Sequence, residues 1–384
     1  MFYDFDTTAT SPVIPEVLEA YALRLTEAAN NPSSPHAGGI KAAGLYESAR
    51  QSIARSLDCL PENIIFTSGG TESINHALKG TAGQLRKEPG RLVTTAGEHD
   101  AVLASLEYLR ESRGFELVCI PLLESGQVDG GALRAALKEA APSLVSLIAV
   151  SNETGAVNEL HTLVPAIRRL APRAVIHSDI VQACGKLPFS FRTSCLDLAS
   201  VAGHKIGAPK GTGLLLKSGN IQLTPLLHGG GQQSGLRSGT VDVPGALALA
   251  EAIQIHESRL EDNLNVTRKL RQQFLQEIAG LGIPHQQLSP EDGSPYVLAI
   301  AFPGIRGETL MNALSAESIY LSTGSACGSK QAGENRVLAS MGYDRKTILS
   351  AVRISFNPNH RQEDIRFLAE RIASHYARYA IEPR

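Results

Sequence analysis

The sequence predicts an α/β protein: a large unit with a mostly parallel central sheet covered by helices, followed by a smaller α+β carboxyl-terminal unit. Three observations carry this expectation. From about residue 63, short apolar runs alternate with amphipathic stretches; several runs lack polar alternation; and a glycine-rich loop leads into a long helical pattern before a second, shorter set of elements begins. A strand that is apolar on both faces is one covered on both faces, as in a parallel sheet between two helical layers.

In chain order, IIFT (64–67) reads as a strand that runs through two glycines into a helix from Thr71. RLVTTA (91–96) is the next strand. The helix from Asp100 follows, with Val102, Leu103, Leu106 and Leu109 on one face and Glu107, Arg110 and Glu111 on the other. ELVCIPL (116–122), a helix after Asp129, SLVSLIAV (143–150), a helix around Ile167 and AVIHSD (174–179) continue the rhythm. The loop GGGQQSGLRSGT (229–240) precedes a helical pattern from Pro244 to about Ala279, with proline near its first turn. Beyond it come a strand (YVLAIAF), a helix (GETLMNALSA), a Ser/Gly/Cys loop, a helix (ENRVLASM), a strand (VRISF) and a last helix from Asp364. A chain of 384 residues exceeds the length, roughly 250 to 300, at which one core stops growing. The boundary is placed near residue 260, with a large domain over 15–258 and a small one over 1–14 and 259–384.

Charge narrows the partners. The 38 acidic and 36 basic residues nearly cancel and form no dense basic block, so nucleic acid and acidic membrane have no electrostatic support and a small-molecule substrate is expected. The first ten residues hold two aspartates and no basic segment ahead of an apolar one, which does not read as a signal peptide, and no run is long enough to span a bilayer. Cys59, Cys119, Cys184, Cys195 and Cys327 are odd in number, scattered, and without metal-ligand or redox spacing, which suits a reducing cytoplasm. Four of them sit among apolar or small neighbours and read as small core residues.

Three features carry chemistry. Asp179 ends one expected strand and Lys205 lies just past the end of the next, at the strand edge where open α/β sheets bind ligands. Each alone reads as a cap or a solvated residue, and the pair gains weight only from what accompanies it. NIIFTSGGTESINHALKG adds a glycine-rich strand-to-helix turn, in which Gly70 and Thr71 would meet a phosphate at a helix amino terminus. That turn lacks the lysine and the glycine spacing of ATP- and NAD-binding loops. An amine for an imine, a carboxylate for a protonated ring nitrogen and a phosphate cradle are together what pyridoxal 5'-phosphate requires. Cys327, in STGSACGSKQAGENR, sits among small and polar residues that predict an exposed, mobile loop, as a sulfur-carrying nucleophile needs.

The segments NPSSPHAGG, TSGGTES, EHDAV, SNETGAV, HSDIVQACGK, GHKIGAPKGTG, HGGGQQSGLRSGT, STGSACGS and VRISF, in this order over nearly the whole chain, resemble the cysteine desulfurases. These form a class V aminotransferase-like group within the fold-type I pyridoxal-phosphate enzymes. The resemblance implies Lys205 as the Schiff-base lysine, Asp179 on the ring nitrogen, Gln182 on the ring hydroxyl and His99 stacked on the ring. It implies Asn152 at the substrate carboxylate or cofactor edge, Arg353 on the substrate carboxylate, and Thr71, His204 and Thr240 on the phosphate. Thr240 would come from the second subunit of a homodimer whose active site lies at the subunit interface.

The implied reaction has Lys205 remove the α-proton of bound L-cysteine. The Cys327 thiolate takes its sulfur as a persulfide, alanine leaves, and an acceptor protein receives the sulfur for iron–sulfur clusters, tRNA thiolation or a cofactor. The chain departs from the family pattern at Ala202, where a hydroxyl residue usually joins the phosphate cradle, with Ser200 on the same strand face but one step away. It departs again in its opening, FDTTATSP. Two other readings stand beside this one: a selenocysteine or β-eliminating lyase that does not use Cys327, and a catalytically silent cofactor-binding scaffold.

Overall fold

The computed structural model describes residues 2–85, 90–323 and 335–381. The chain opens with β1 (Tyr3–Asp4), α1 (Pro15–Glu27) and α2 (Ala37–Ser56). Five strands each followed by a helix come next: β2 (Ile64–Thr67) and α3 (Gly70–Gln84), β3 (Arg91–Thr95) and α4 (Asp100–Arg113), β4 (Glu116–Ile120) and α5 (Gly130–Glu139), β5 (Leu144–Ile148) and α6 (Leu160–Leu170), β6 (Val175–Asp179) and the one-turn α7 (Phe191–Ser194). Then come β7 (Leu198–Ala202), β8 (Gly213–Lys217), α8 (Val243–Ser258) and α9 (Leu260–Gly280). The last third holds β9 (Gln286–Gln287), β10 (Val297–Ala301), α10 (Gly307–Ser315), β11 (Ile319–Tyr320), α11 (Arg336–Ser340), α12 (Arg345–Ser350), β12 (Ala351–Ser355) and α13 (Gln362–Tyr379).

Seven strands form one sheet in the order β2-β8-β7-β6-β5-β3-β4. Every pair from β7 to β4 is parallel, and β8 runs antiparallel to both β7 and β2. The sheet is therefore mostly parallel and between helices, as expected. The sequence reading lacked β8. Only ten residues separate it from β7, too few for a helical crossover, so it returns antiparallel. Strand side chains alternate between two cores: Leu92 and Leu144 pack with α3 and α4, while Val93, Val145 and Leu147 pack with α2, α5, α6 and α8.

The single long helical pattern expected from Pro244 is two helices meeting at Arg259, whose φ of −115° and ψ of 11° interrupt the helix. α8 is apolar nearly all round and buried against α2, whereas α9 is amphipathic and buries Leu270, Phe274 and Ile278 in a second core. The two faces need different directions, and the joint supplies the turn.

That second core gathers α9, α10 and α13 on the sheet β12-β10-β9, around Phe274, Leu298, Ile300, Phe302, Ile354 and Phe356. Phe5 belongs to it, fully buried, just after β1 pairs with β11. Of the four cysteines expected in the interior, Cys184 is buried and Cys59 half-buried, but Cys119 and Cys195 are exposed. Cys119 lies on the sheet's edge strand, and Cys195 ends α7 in a left-handed conformation. Among the described residues no helix is long and apolar enough to cross a membrane.

The chain between β1 and α1 ties the units together. The Phe5 carbonyl accepts from Ser355 N–H and the Thr8 and Ser355 hydroxyls pair, while Ser11 and Ile14 N–H groups bond the carbonyls of His204 and Gly207. Phe5→Ala is expected to cost about 3–5 kcal/mol of stability. It would be read as a lower urea midpoint at unchanged slope; an unchanged midpoint would remove Phe5 from the core.

Candidate active site

The carboxyl ends of the parallel strands face one cavity of about 1150 Å³. β6 ends at Asp179, and β7 passes through one 3-10 turn to Lys205. The segments after β3 and β5 bring Glu98, His99 and Asn152, the start of α3 brings Gly70 and Thr71, and β12 brings Arg353. Gln182 and His204 complete the expected set on its walls. Thr240 is elsewhere, lining a separate cavity of about 240 Å³ with Tyr46, Phe66 and Arg237; Cys327 lies outside the described residues.

Lys205 Nζ donates to the carbonyls of Thr8, at 2.8 Å, and Ala9, at 2.6 Å. Asp179 is buried, with Oδ1 accepting from Val181 N–H at 2.9 Å. Burial pushes its pKa up, opposed by the Val181 bond and by the positive charge of Lys205. A cationic ring nitrogen beside it would favour the carboxylate further. The Gln182 amide sits between two groups: Nε2 donates to the Thr8 carbonyl at 3.1 Å, and Oε1 accepts from Lys186 Nζ at 2.8 Å.

Both histidines combine a cap or turn role with a place on the cavity. His99 is the N-cap of α4, its Nδ1 accepting from Ala101 N–H at 3.1 Å. His204 Nδ1 lies 3.1 Å from the Thr10 hydroxyl, and burial, then Lys205, Lys210 and Lys186, lower its pKa to about 4. It is therefore neutral at physiological pH.

The turn expected to meet a phosphate lies where β2 passes into α3, with Gly70 and Thr71 on the cavity wall. Gly69 adopts φ of +147°, and a Cβ on Gly213 of β8 would stand 2.5 Å from Gly69 Cα, so both positions need glycine. No side chain caps α3, which leaves its first N–H groups for a ligand. Ala202 faces this turn, its methyl 3.3 Å from where a Gly70 Cβ would be. Ser200 does not replace the missing hydroxyl, because its Oγ is 2.9 Å from His177 Nε2 in the interior. An amine, a buried carboxylate and an uncapped helix start on one cavity fit a phosphorylated aldehyde cofactor.

Arg353 is held more firmly than the sequence suggested. It is 2% exposed, with Nη2 donating to Asp6 at 2.9 Å and Nη1 to the Asn152 carbonyl at 3.1 Å, and Glu153 lies 3.5 Å from Nη1. Its Nε is buried without a partner. Glu153 also accepts from Asn152 Nδ2 and from Asn335 Nδ2. Arg336, the next residue, donates to the carbonyls of Ala96 and Glu98 and to Asp100. Sequence reasoning passed over Asp6, Glu98, Glu153, Lys186, Asn335 and Arg336. Glu98 and Glu153 stood beside His99 and Asn152 in segments already singled out, and that adjacency was the available signal.

Glu98 is 1% exposed, its Oε1 accepting from Thr95 at 2.9 Å and Ile148 N–H at 2.7 Å, while Oε2 is buried without a partner. Burial raises its pKa from the ordinary 4.5 to about 8. The folded state thus keeps a proton that the unfolded chain releases near pH 4.5, so the contribution of Glu98 to stability is lost as pH rises from about 4.5 toward 8. Glu98→Gln is expected to flatten urea-measured stability across pH 5 to 8 and to gain on the parent most at pH 8. An unchanged slope would refute the assignment.

The family model described as Aminotransferase class-V matches residues 3–368. Cysteine desulfurase IscS of Neisseria meningitidis serogroup C is 36% identical over 374 residues, covering 96% of this chain and 91% of that protein. An IscS-like cysteine desulfurase of Mycobacterium tuberculosis is 38% identical over 369 residues, covering 94% of this chain and 92% of that one. Among solved structures, a NifS-like protein superposes with a TM-score of 0.92 at 35% identity, covering 98% and 100% of the two chains. A structure titled SspA in complex with cysteine superposes at 0.82 with 28% identity, covering 93% and 99%.

Proposed function

The chain belongs to the class-V aminotransferase family, and from that premise we propose that it draws sulfur from L-cysteine with pyridoxal 5'-phosphate held between Lys205 and Asp179. It is a cysteine desulfurase, as its relatives are named. The observation that carries the reading is Lys205 and Asp179 on one cavity, each at the carboxyl end of adjacent parallel strands.

Lys205 would hold the cofactor's aldehyde end, Asp179 its ring nitrogen, Gln182 its ring hydroxyl and His99 its ring face. Gly70, Thr71 and His204 would hold the phosphate. When bound, the cofactor supplies an electron sink for charge left at the substrate's α-carbon. Arg353, its fork oriented by Asp6 and Glu153, fixes the substrate carboxylate with Asn152. Lys205 Nζ takes the α-proton. The Cys327 thiolate attacks the substrate sulfur, so that an S–S bond forms as the Cβ–S bond breaks. The remaining three-carbon fragment keeps that electron pair, gains protons and leaves as alanine, and the persulfide on Cys327 passes to an acceptor protein.

Thr240 stands apart from the cavity of its own chain, which supports a homodimer in which it serves the other copy's site. The division into a large domain over 15–258 and a small one over 1–14 and 259–384 belongs to this reading. So does a cytoplasmic location, which the free thiols of Cys59, Cys119, Cys184 and Cys195 favour.

Cys327→Ala is expected to keep the yellow colour of the cofactor-loaded protein and to release no alanine from cysteine in the presence of reductant. Retained alanine production would make the chain a lyase. Arg353→Lys keeps the charge but loses the fork, so KM for cysteine should rise about ten- to a hundredfold with the visible spectrum intact. An unchanged KM would put the carboxylate elsewhere.

A further inference from the structure

Lys186 has no part in the proposed chemistry, yet it is buried beside the site at 6% exposure. A lysine seldom occupies the interior without a carboxylate. The contacts of Lys186 Nζ are the Gln182 Oε1 at 2.8 Å and the ring of Tyr296, whose centroid is 5.8 Å away. The nearby charges of Lys205 and Arg353 are positive, so among the described residues no acid explains its position.

The contact with Gln182 does. An amide has one accepting end and one donating end, and a lysine nitrogen offers N–H whether it is charged or neutral. Facing Oε1, Lys186 fixes the sense of the Gln182 amide and turns Nε2 the other way. Nε2 carries two hydrogens, and the Thr8 carbonyl at 3.1 Å is its acceptor among the described residues. The second hydrogen is left for an acceptor in the cavity that Gln182 lines.

We propose that Lys186 is a positioning residue: it locks the Gln182 amide so that Nε2 presents a hydrogen to the ring oxygen of the cofactor. This rests on the pyridoxal-phosphate reading above. Without Lys186, Oε1 loses its donor and the Nε2–Thr8 bond alone holds the amide, so the inverted amide, with Oε1 facing the ring oxygen as a second acceptor, becomes accessible.

The test uses the full chain stripped of cofactor and retitrated with pyridoxal phosphate. Two quantities are read: the dissociation constant, and the pH midpoint of the visible absorbance change of the loaded protein. A hydrogen donated to the ring oxygen competes with the internal proton of the bound cofactor, so losing it raises that midpoint. Lys186→Met is expected to weaken binding about tenfold and to raise the midpoint by about one unit, with the urea midpoint maintained, since a buried cation is replaced by an apolar chain of like length. Gln182→Leu should do the same, and the double variant should go no further than Gln182→Leu alone.

Lys186→Met behaving as the parent would overturn the proposal while leaving the cofactor reading intact. Additive effects in the double variant, or an effect of Lys186→Met with none of Gln182→Leu, would overturn it too. A parent protein that takes up no cofactor would refute the site reading and the proposal together.

Discussion

Buried donors must find acceptors, and at this site one short piece of chain serves three of them. Asp6, Thr8 and Ala9 accept from Arg353 on β12, from Gln182 after β6 and from Lys205 after β7. An unpaired cation in the interior costs several kcal/mol, so these contacts fix where the segment can run. The segment is fixed independently from its other side, by Phe5 in the second core and by the Thr8–Ser355 hydroxyl pair. Two hydrophobic cores, assembled from distant parts of the chain, are thereby set in register across the cavity, and the groups proposed for cofactor and substrate inherit that register.

The same cavity sorts its acids by environment. Glu98 and Asp179 are both buried, and burial alone would neutralise both. Asp179 has the Val181 hydrogen bond and the charge of Lys205 to draw it back toward the carboxylate, whereas Glu98 has mainly hydrogen bonds from Ile148 and Thr95. A neutral Glu98 spares Asp179 a like charge and leaves one carboxylate where one is needed. Glu153 is also buried, and burial raises its pKa, with Arg353 as the chief opposing charge. Each of these two acids thus has a positive group to draw it toward the carboxylate: Lys205 for Asp179 and the Arg353 guanidinium for Glu153.

Much of this was legible in the sequence because it is local. Asp179 and Lys205 sit where apolar runs stop, and in a parallel sheet all such stops lie on one edge, so two strand ends already define a site. The glycines before α3 announce a turn that no Cβ can enter. What escaped is what only folding brings together. Asp6 and Arg353 are 347 positions apart, and nothing in FDTTATSP marks its aspartate as a partner for VRISF. β8 hid among glycines because its antiparallel return needs no helix to announce it. Lys186 is four residues from Gln182, a spacing that was readable, but its burial was not, since a lysine at the end of a turn looks the same in a sequence whether it faces solvent or a ring. Cys119 failed in the opposite sense: an apolar run predicted a core strand, and the sheet order made it an edge.

Ala202 shows how local loss is absorbed by the fold. A hydroxyl at this place would add one donor at the turn before α3, and within the chain Ser200 does not supply it, being committed to His177. What stays is the backbone. The first N–H groups of α3 have no side-chain cap, the helix dipole places positive potential there, and the close approach of Gly69 to Gly213 keeps the turn in one conformation. Donors set by backbone geometry do not depend on residue type, so the turn keeps its electrostatic character when a side chain is lost. The alanine trims a hydrogen bond from a cradle whose main elements the strand–glycine–helix turn already provides.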